Sequence, residues 1–217
     1  MIARRTLQLI CRFTFLRAAT ILLGALMLLT GPAMALEEPK FKLVQKFADF
    51  EVRDYATYLV AETIVSGGFE DAGNQGFRLL FDYISGSNTA QSHITMTAPV
   101  IQAGEKIEMT APVLQSEAIG SFAIRFVMPS SWTIGTLPVP SDRRVVIREV
   151  PGARLAILTY SGFWSEGNYR AHLAKLQAAI AREHLRVNGA AVWARYDPPF
   201  MPWFLRRNEI LIPIGSN

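Results

Sequence analysis

The sequence predicts an α+β fold built from two related halves. The pattern Gly-Phe-x-x-x-Gly-Asn occurs at residues 68–74 and again at residues 162–168. Ahead of it, Val-Arg-Asp-Tyr at residues 52–55 is matched by Ile-Arg-Glu-Val at residues 147–150. Self-similarity over this range indicates an internal duplication. In each half, two stretches with the two-residue period of strands precede a stretch with the 3.6-residue period of a helix.

In the first half, strands are predicted at residues 50–54 and 58–66, and a helix at residues 71–85. The helix is predicted because four apolar side chains recur at spacings of three and four residues. These side chains are Phe77, Leu80, Phe81 and Ile84. Asp71 is the expected N-cap, and Gly86 is the expected stop signal.

In the second half, strands are predicted at residues 145–150 and 155–161, and a helix at residues 165–185. Ser165 is the expected N-cap, and Gly189 is the expected stop signal. The corresponding apolar stripe is Tyr169, Leu173, Leu176 and Ile180.

Three further strands are predicted outside these units, at residues 122–128, 191–196 and 209–214. Residues 130–140 are rich in proline and serine, so a loop is expected there. No linker or change of composition divides residues 36–217. This segment is therefore expected to form a single domain with its own core.

A short motif, Ile-x-Met-Thr-Ala-Pro-Val, occurs at residues 94–100 and again at residues 107–113. Its alternation of apolar and polar residues is typical of half-buried strands. Proline cannot donate to a sheet ladder, so the proline of each copy should mark a strand end, an edge or a bulge. Residues 102–106 contain a glycine and are expected to join the two copies as a hairpin. We interpret the motif as scaffold, because buried methionines usually fill gaps in a core.

Residues 1–35 have the features of an export signal. Four arginines precede an apolar run at residues 18–29, and Ala-Met-Ala at residues 33–35 is a small-residue cleavage pattern. The arginines are Arg4, Arg5, Arg12 and Arg17. The protein is therefore expected to be periplasmic or secreted. The alternative is an uncleaved helix that anchors the domain to the inner membrane, facing the periplasm.

The remaining segment has no net charge. The whole chain contains 22 lysines and arginines and 18 aspartates and glutamates. Subtracting the four arginines of residues 1–35 leaves 18 of each sign, and the only cysteine, Cys11, lies in the same segment. No nucleic-acid partner is therefore expected, and a membrane is expected as a partner only if the N-terminal segment is retained. Residues 36–217 cannot form a disulfide or a thiolate site.

Three features in combination resemble those of the SOUL haem-binding protein family. With the predicted export signal, the resemblance is to a bacterial, exported member of that family. The three features are the doubled motif, residues 81–88 at the end of the first predicted helix, and the C-terminal segment at residues 196–209. The resemblance covers residues 41–214. It implies a distorted antiparallel β-barrel flanked by two α-helices, with pseudo-twofold symmetry. It also implies haem or a related tetrapyrrole as cofactor, held in an apolar groove between the first helix and the loop before the last strand.

The loop at residues 198–206 carries five large apolar side chains among prolines, and these are unfavourable in water. One explanation is that they pack into the core or plug one end of the barrel. The other is that they form a ligand wall, in which a flat porphyrin stacks on Trp203 or Phe200 and Arg206 or Arg207 pairs with a propionate. The groove residues predicted on this second explanation are Phe77, Leu80, Tyr83 and Ile84 on the helix, and Phe200, Met201, Trp203 and Arg206 on the loop.

The sequence does not identify an iron ligand. Haem iron usually takes His, Met, Cys or Tyr. His93, His172 and His184 show no ligand spacing, and His93 is a weak candidate. The metal ligand and the oligomeric state therefore stay open.

No catalytic constellation stands out. Phe-Trp-Ser-Glu-Gly at residues 163–167 lacks the first glycine of a nucleophile elbow, and a helix cap explains its serine better. We therefore expect a non-enzymatic binder. Two alternatives are a binder of other amphipathic small molecules, because the family's fold resembles effector-binding domains of some multidrug-responsive regulators, and an enzyme acting on a tetrapyrrole or lipid.

Overall fold

The computed structural model describes residues 36–90 and 104–215. Leu36–Asn217 forms one compact unit. Its eleven strands and two helices confirm the α+β class. The strands are β1 (Phe41–Lys46), β2 (Glu51–Tyr55), β3 (Tyr58–Val65), β4 (Asn88–Thr89), β5 (Val113–Ala118), β6 (Ser121–Val127), β7 (Val139–Pro140), β8 (Val145–Val150), β9 (Ala153–Tyr160), β10 (Val192–Arg195) and β11 (Asn208–Pro213). The helices are α1 (Phe69–Ile84) and α2 (Glu166–Arg182).

Nine strands form one antiparallel sheet in the order β1-β2-β9-β11-β10-β5-β6-β3-β8. Side chains from eight of these strands line one cleft, so the sheet curls around it. The edge strands β1 and β8 do not pair with each other within the described residues. The sheet is thus a curled, open half-barrel, and the expected closed barrel is not confirmed.

The strand order relates the two halves of the chain. From the central pair outward it reads β5-β6-β3-β8 on one side and β10-β11-β9-β2 on the other. Each half of the chain thus contributes strands to both sides of the central pair. Strand β2 of the first half lies beside β9 of the second half, and β8 of the second half lies beside β3 of the first half. This arrangement is compatible with the sequence repeat, and the duplication itself stays a prediction.

Helix α1 begins two residues earlier than predicted. Gly68 is its N-cap, whereas Asp71 lies in the first turn. The extra turn buries Phe69, whose ring stacks on Tyr169 and Trp193 at centroid distances of 5.3 and 4.9 Å. The helix packs on β3 and β6, and ends just before Gly86, whose φ of +118° agrees with its predicted role as the stop.

Helix α2 confirms one predicted cap and contradicts the other. The Ser165 hydroxyl accepts a hydrogen bond from the Asn168 backbone N–H at 3.3 Å, so Ser165 is the N-cap as predicted. The helix ends at Arg182, and His184 follows with a φ of 55°. Gly189 is therefore not the stop, and it lies against the Pro213 ring instead. The helix packs on β9 and β11.

Seven of the strands agree with their predicted positions within about two residues, namely β2, β3, β6, β8, β9, β10 and β11. Four were not predicted. Strand β1 is exposed along its whole length, β4 and β7 have two residues each, and β5 begins where the second motif copy ends. Strand β7 lies in the predicted loop at residues 130–140.

The second copy of the motif is not a strand. Within the described residues, 107–112 are not assigned to a strand, and regular pairing begins only at Val113. Ile107 is buried, its backbone N–H donates to the Ile84 carbonyl at 2.8 Å, and the N–H of Ala111 donates to Glu37 at 2.9 Å. The copy is a buried connector to β5. The first copy, and with it the predicted hairpin, lies outside the described residues, as do His93 and the predicted signal segment.

Within residues 36–90 and 104–215, neither helix is both long and apolar enough to cross a membrane.

Candidate functional site

The loop at residues 198–206, here called the aromatic loop, lies on the surface between β10 and β11. Phe200 is 84% exposed, and the single 3-10 turn Trp203–Leu205 exposes all three of its side chains. The Trp203 ring stacks on exposed Phe163 with centroids 5.0 Å apart, and Phe204 meets Trp203 edge-on at 5.5 Å. The loop therefore does not plug the core, and it presents flat apolar surface to solvent.

Arg206 holds the aromatic loop in shape. Its Nε donates to the Met201 carbonyl at 2.8 Å, and its Nη2 donates to the Pro199 carbonyl at 2.6 Å. Its guanidinium lies 4.3 Å from the centre of the Trp164 ring. Arg207 is engaged as well, since it donates to Glu38 at 2.8 Å and to Glu209 at 3.0 Å. Both arginines predicted to pair with a propionate are thus already bonded within the protein.

The helix residues predicted for the opposite wall separate into two groups. Leu80, Tyr83 and Ile84 are at most 3% exposed and belong to the core between α1 and the sheet. The Tyr83 hydroxyl donates to the Pro138 carbonyl at 2.9 Å, and burial raises the pKa of Tyr83 to about 12. These three side chains cannot line a surface groove in this structure. The helix instead presents Phe77, which is partly buried, and the exposed Phe81 stacked on it at 5.9 Å.

Arg195, at the end of β10, was not found by sequence reasoning. Trp193 and Arg195 point to the same, helix-covered face of the sheet, because side chains alternate along a strand. The Arg195 guanidinium lies 4.8 Å from the centre of the Trp193 ring and 5.5 Å from that of Trp164. Its only hydrogen bond to a described side chain is a long one, from Nη2 to the Gln115 amide oxygen at 3.4 Å. A basic residue ending an otherwise apolar strand was the available sequence signal.

Glycine at position 73 allows Arg195 to lie beside α1. A Cβ at Gly73 would be 3.1 Å from Arg195 Nη2 and 2.9 Å from the Gln115 amide oxygen, both tighter than ordinary contacts. Trp164, in turn, is fixed by its Nε1, which donates to the Asn208 side chain at 2.9 Å. Arg195 therefore lies between the first turns of α1 and the tryptophan against which Arg206 packs. This places Arg195 between the predicted helix wall and the aromatic loop.

Three buried polar atoms around Arg195 make no hydrogen bond of ordinary geometry to a described residue. They are Arg195 Nε, Trp193 Nε1 and the Tyr160 hydroxyl. Burial lowers the pKa of Arg195 to about 10, and burial raises the pKa of Tyr160, with Trp193 and Arg195 opposing that rise. Trp193 Nε1 lies near enough to the Tyr160 hydroxyl to be its donor, so Arg195 Nε is the unsatisfied atom that marks a site suited to an additional partner.

A second buried charge cluster, on the other face of the sheet, is fully bonded. The Glu209 carboxylate is completely buried and accepts hydrogen bonds from Arg53 at 3.1 Å, Arg207 at 3.0 Å and the Tyr196 hydroxyl at 2.6 Å. The Thr159 hydroxyl donates a fourth bond at 3.1 Å. Burial raises the pKa of Tyr196, and the neighbouring Glu209 charge adds to the rise. We call these residues the Glu209 cluster.

The curled sheet encloses a cleft of about 370 Å³ on its concave face. Its walls are mainly apolar and include the side chains of Tyr55, Tyr58, Val60, Leu114, Leu155, Val192 and Leu211. At one side Glu62 accepts from Arg125 at 2.7 Å and from Arg148 at 2.6 Å. The cleft thus combines apolar walls with a bonded charge cluster.

No group of three or more His, Cys, Asp or Glu side chains suited to a metal ion occurs within the described ranges. His172 stacks on Tyr160 with centroids 4.0 Å apart, and its Nδ1 is 2.8 Å from the Asn168 carbonyl. His184 is exposed beyond the end of α2.

Comparisons with known proteins agree with one another. A family model described as "SOUL heme-binding protein" matches residues 36–213. "Heme-binding protein 1" of Xenopus laevis is 30% identical over 162 residues, which cover 74% of this chain and 81% of the relative. "Heme-binding protein 1" of Mus musculus is 28% identical over 166 residues, which cover 76% and 77%. Among solved structures, the EcmrR C-terminal domain matches with a TM-score of 0.56 at 7% identity, over 82% of this chain and 99% of that domain, which shows similarity of fold alone.

Proposed function

Because the chain belongs to the SOUL heme-binding protein family, we propose that it binds haem or a related tetrapyrrole on its helix-covered side. The proposed groove has the aromatic loop as one wall. The first turns of α1, together with Phe77 and Phe81 farther along the same helix, form the other wall. Trp164 and Arg195 form its floor. The mouse and frog relatives are named for haem binding, and this supports the choice of ligand.

The observation that carries the proposal is the exposed stack of Trp203 on Phe163, next to the unsatisfied Arg195. A porphyrin is a flat apolar ring with carboxylates at one edge. Its ring would gain from stacking on exposed aromatic faces, and its carboxylate would supply the charge that Arg195 lacks. The exposed aromatic rings thus fit the flat porphyrin in shape, and Arg195 fits its carboxylate in charge. Bound haem would supply the iron.

Hemin titration of the purified full-length protein tests the proposal, with the Soret band as the readout. We expect a saturable spectral change at micromolar hemin. Trp203→Ala should weaken binding by roughly tenfold, since it removes one stacking face. Trp132→Ala, which changes a tryptophan between β6 and β7, is the matched control and should leave binding unchanged. A wild-type spectrum that does not respond to hemin would refute the proposal.

We also propose that the protein holds its ligand without transforming it. The support is that no group of three or more His, Cys, Asp or Glu side chains suited to a metal ion occurs in the part of the chain that the structure describes, and that the sequence contains no complete nucleophile motif. The test is incubation of the bound complex with and without reductant, followed by chromatography of the extracted pigment. Recovery of unaltered haem is expected, and turnover to a new pigment would contradict the proposal.

We further propose that the protein acts outside the cytoplasm. The support is the sequence of residues 1–35, with its basic start, apolar run and small-residue end. Cell fractionation and mass measurement of the isolated protein distinguish the possibilities. A periplasmic product that begins at Leu36 is expected, whereas an intact N-terminus in the membrane fraction would select the anchored alternative.

The concave cleft supports a second candidate function, binding of another amphipathic small molecule. Its volume of about 370 Å³ and its mainly apolar walls, which include Tyr55 and Tyr58, suit a small aromatic ligand. A dye-displacement screen in Trp203→Ala separates the two candidates. Ligands of the cleft should bind this variant as they bind the wild type, and Leu114→Trp, which fills the cleft, should block them.

A further inference from the structure

We propose that Arg195 anchors a carboxylate of the bound tetrapyrrole, an inference that rests on the proposed function. The groove would therefore select ligands by their acidic edge as well as by their flat ring. Porphyrins with a free propionate should bind more tightly than otherwise identical porphyrins whose propionates are esterified.

The first argument is that Arg195 has no acidic partner. Every aspartate and glutamate of the chain lies within residues 36–90 and 104–215. None of them lies within 4.0 Å of the Arg195 guanidinium. The Arg195 Nε is buried and unbonded, and its Nη2 makes one long bond to Gln115. Arg195 is partly buried, and a partly desolvated cation without a counter-ion gains more from a ligand carboxylate than an arginine that is already paired.

The second argument is the way the guanidinium is held. Trp193 and Trp164 both lie within 5.5 Å of it, and aromatic faces stabilise a guanidinium while leaving the N–H groups along its edge available. The absence of a side chain at Gly73 makes room for that edge next to α1. The fork of N–H donors is the geometry that binds a carboxylate with two parallel hydrogen bonds.

The third argument is a comparison with the other arginines of the groove. Arg206 uses its Nε and Nη2 on carbonyl groups of the aromatic loop. Arg207 is bonded to Glu38 and Glu209. Both arginines therefore already have carbonyl or carboxylate partners, whereas Arg195 has only the long bond to the Gln115 amide among the described side chains.

The experiment measures four affinities by Soret titration, those of the wild type and of Arg195→Gln for hemin and for hemin dimethyl ester. We expect the wild type to bind hemin at least about tenfold more tightly than the diester, since a charge-assisted bond is lost with the ester. Arg195→Gln should lose the same factor for hemin and show no change for the diester. Arg195→Lys keeps the charge without the fork and should give an intermediate loss.

Arg186→Gln is the matched control, because it removes one positive charge from an exposed position after α2. It should not change either affinity. Circular dichroism and thermal unfolding check that each variant is folded. If Arg195→Gln fails to fold, two measurements still test the inference: the affinities of the wild type for hemin and for its diester, and the hemin affinity of Arg195→Lys.

Equal binding of acid and diester by the wild type would overturn the inference and leave the proposed function standing. An equal loss for both ligands in Arg195→Gln would assign Arg195 to the shape of the groove and would also overturn it. An unchanged hemin affinity in Arg195→Gln would have the same consequence. If the wild type binds neither porphyrin, the proposed function fails, and the inference fails with it.

Discussion

Arg53 is buried and Arg195 is partly buried on the same sheet, yet their surroundings are opposite. Arg53, in the Glu209 cluster, bonds Glu209 at 3.1 Å, Glu51 at 2.9 Å and the Tyr55 hydroxyl at 3.4 Å. Arg195 has no carboxylate partner and one long bond to an amide. A fully bonded buried charge contributes to fixing the fold, whereas a desolvated charge without its partner is a cost that ligand binding can offset.

The two clusters also lie on opposite faces of the sheet. Glu209 is the cross-strand neighbour of Ala194, and Asn208 is the neighbour of Arg195, so alternation sends the two side-chain sets to different sides. The Glu209 cluster lies beside the cleft, and Arg195 lies under the helices. The residues of the Glu209 cluster and the residue proposed to bind the ligand are thereby one position apart along β10 and β11.

The largest effect is expected from Glu209→Gln. This change leaves the buried Arg53 and the partly exposed Arg207 around a neutral amide, and removing one partner from a buried ion pair typically costs about 3–5 kcal/mol. Urea unfolding should show this loss in the free energy of unfolding. Glu117→Gln, which alters an exposed ion pair with Arg170, is the control and should change it by less than about 0.5 kcal/mol. A Glu209→Gln protein as stable as the wild type would show that the cluster does not stabilise the fold.

A smaller loss is expected from Arg53→Met. The variant keeps an apolar stem of similar length, and Glu209 retains Arg207, Tyr196 and Thr159 as donors. We expect a destabilisation of about 1–3 kcal/mol, the usual range for one charged hydrogen-bond partner lost from a network that keeps others. Thermal and urea unfolding should agree in sign, and no destabilisation would contradict the importance assigned to Arg53.

Arg195→Met provides the decisive contrast. It makes the same substitution at the arginine that lacks a counter-ion, and replacing an unpaired, partly buried cation by an apolar side chain removes part of a desolvation cost. The free energy of unfolding should stay within about 1 kcal/mol of the wild type or rise, while hemin affinity falls. A destabilisation as large as that of Arg53→Met would show that Arg195 is structural, and the contrast between the clusters would disappear.

The sequence was sufficient for features that depend on local periodicity. Strand β8 and the Ser165 cap follow directly from alternation and capping chemistry. The aromatic loop was identifiable because proline-rich segments with large apolar side chains are unusual in solvent. Strand β1 was missed because it is an edge strand whose side chains are all exposed, so burial imposes no clear pattern on it.

Other features were not predictable because they depend on tertiary contacts. The apolar stripe of α1 was taken as a groove wall, but a helical stripe identifies the face that packs on the core, which is where Leu80, Tyr83 and Ile84 lie. The second motif copy alternates like a strand, yet it leads into β5 without pairing with any strand of the described residues. Arg195 was missed because the lack of a partner is a property of the fold and not of the sequence.

The smallest effect concerns the rim of the Glu209 cluster and its dependence on pH. Hydrogen bonds from Arg53 are the largest cause that holds the pKa of Glu51 below its ordinary value of about 4.5, and burial opposes them. A lowered folded-state pKa means that the ionised form is favoured by folding, so the stabilisation is complete above the unfolded pKa and is lost as pH falls through the folded pKa.

Comparison of the wild type with Glu51→Gln measures this contribution. Because Glu51 is partly exposed and its pairing is screened by solvent, the difference in the free energy of unfolding should be only about 0.5 kcal/mol at pH 7. It should shrink toward zero as pH falls through the lowered folded-state pKa of Glu51, since the wild-type carboxylate is then protonated and the two side chains are nearly equivalent. A difference that grows as pH falls would mean that the ion pair with Arg53 does not stabilise the folded state, and that Glu209 alone satisfies this arginine.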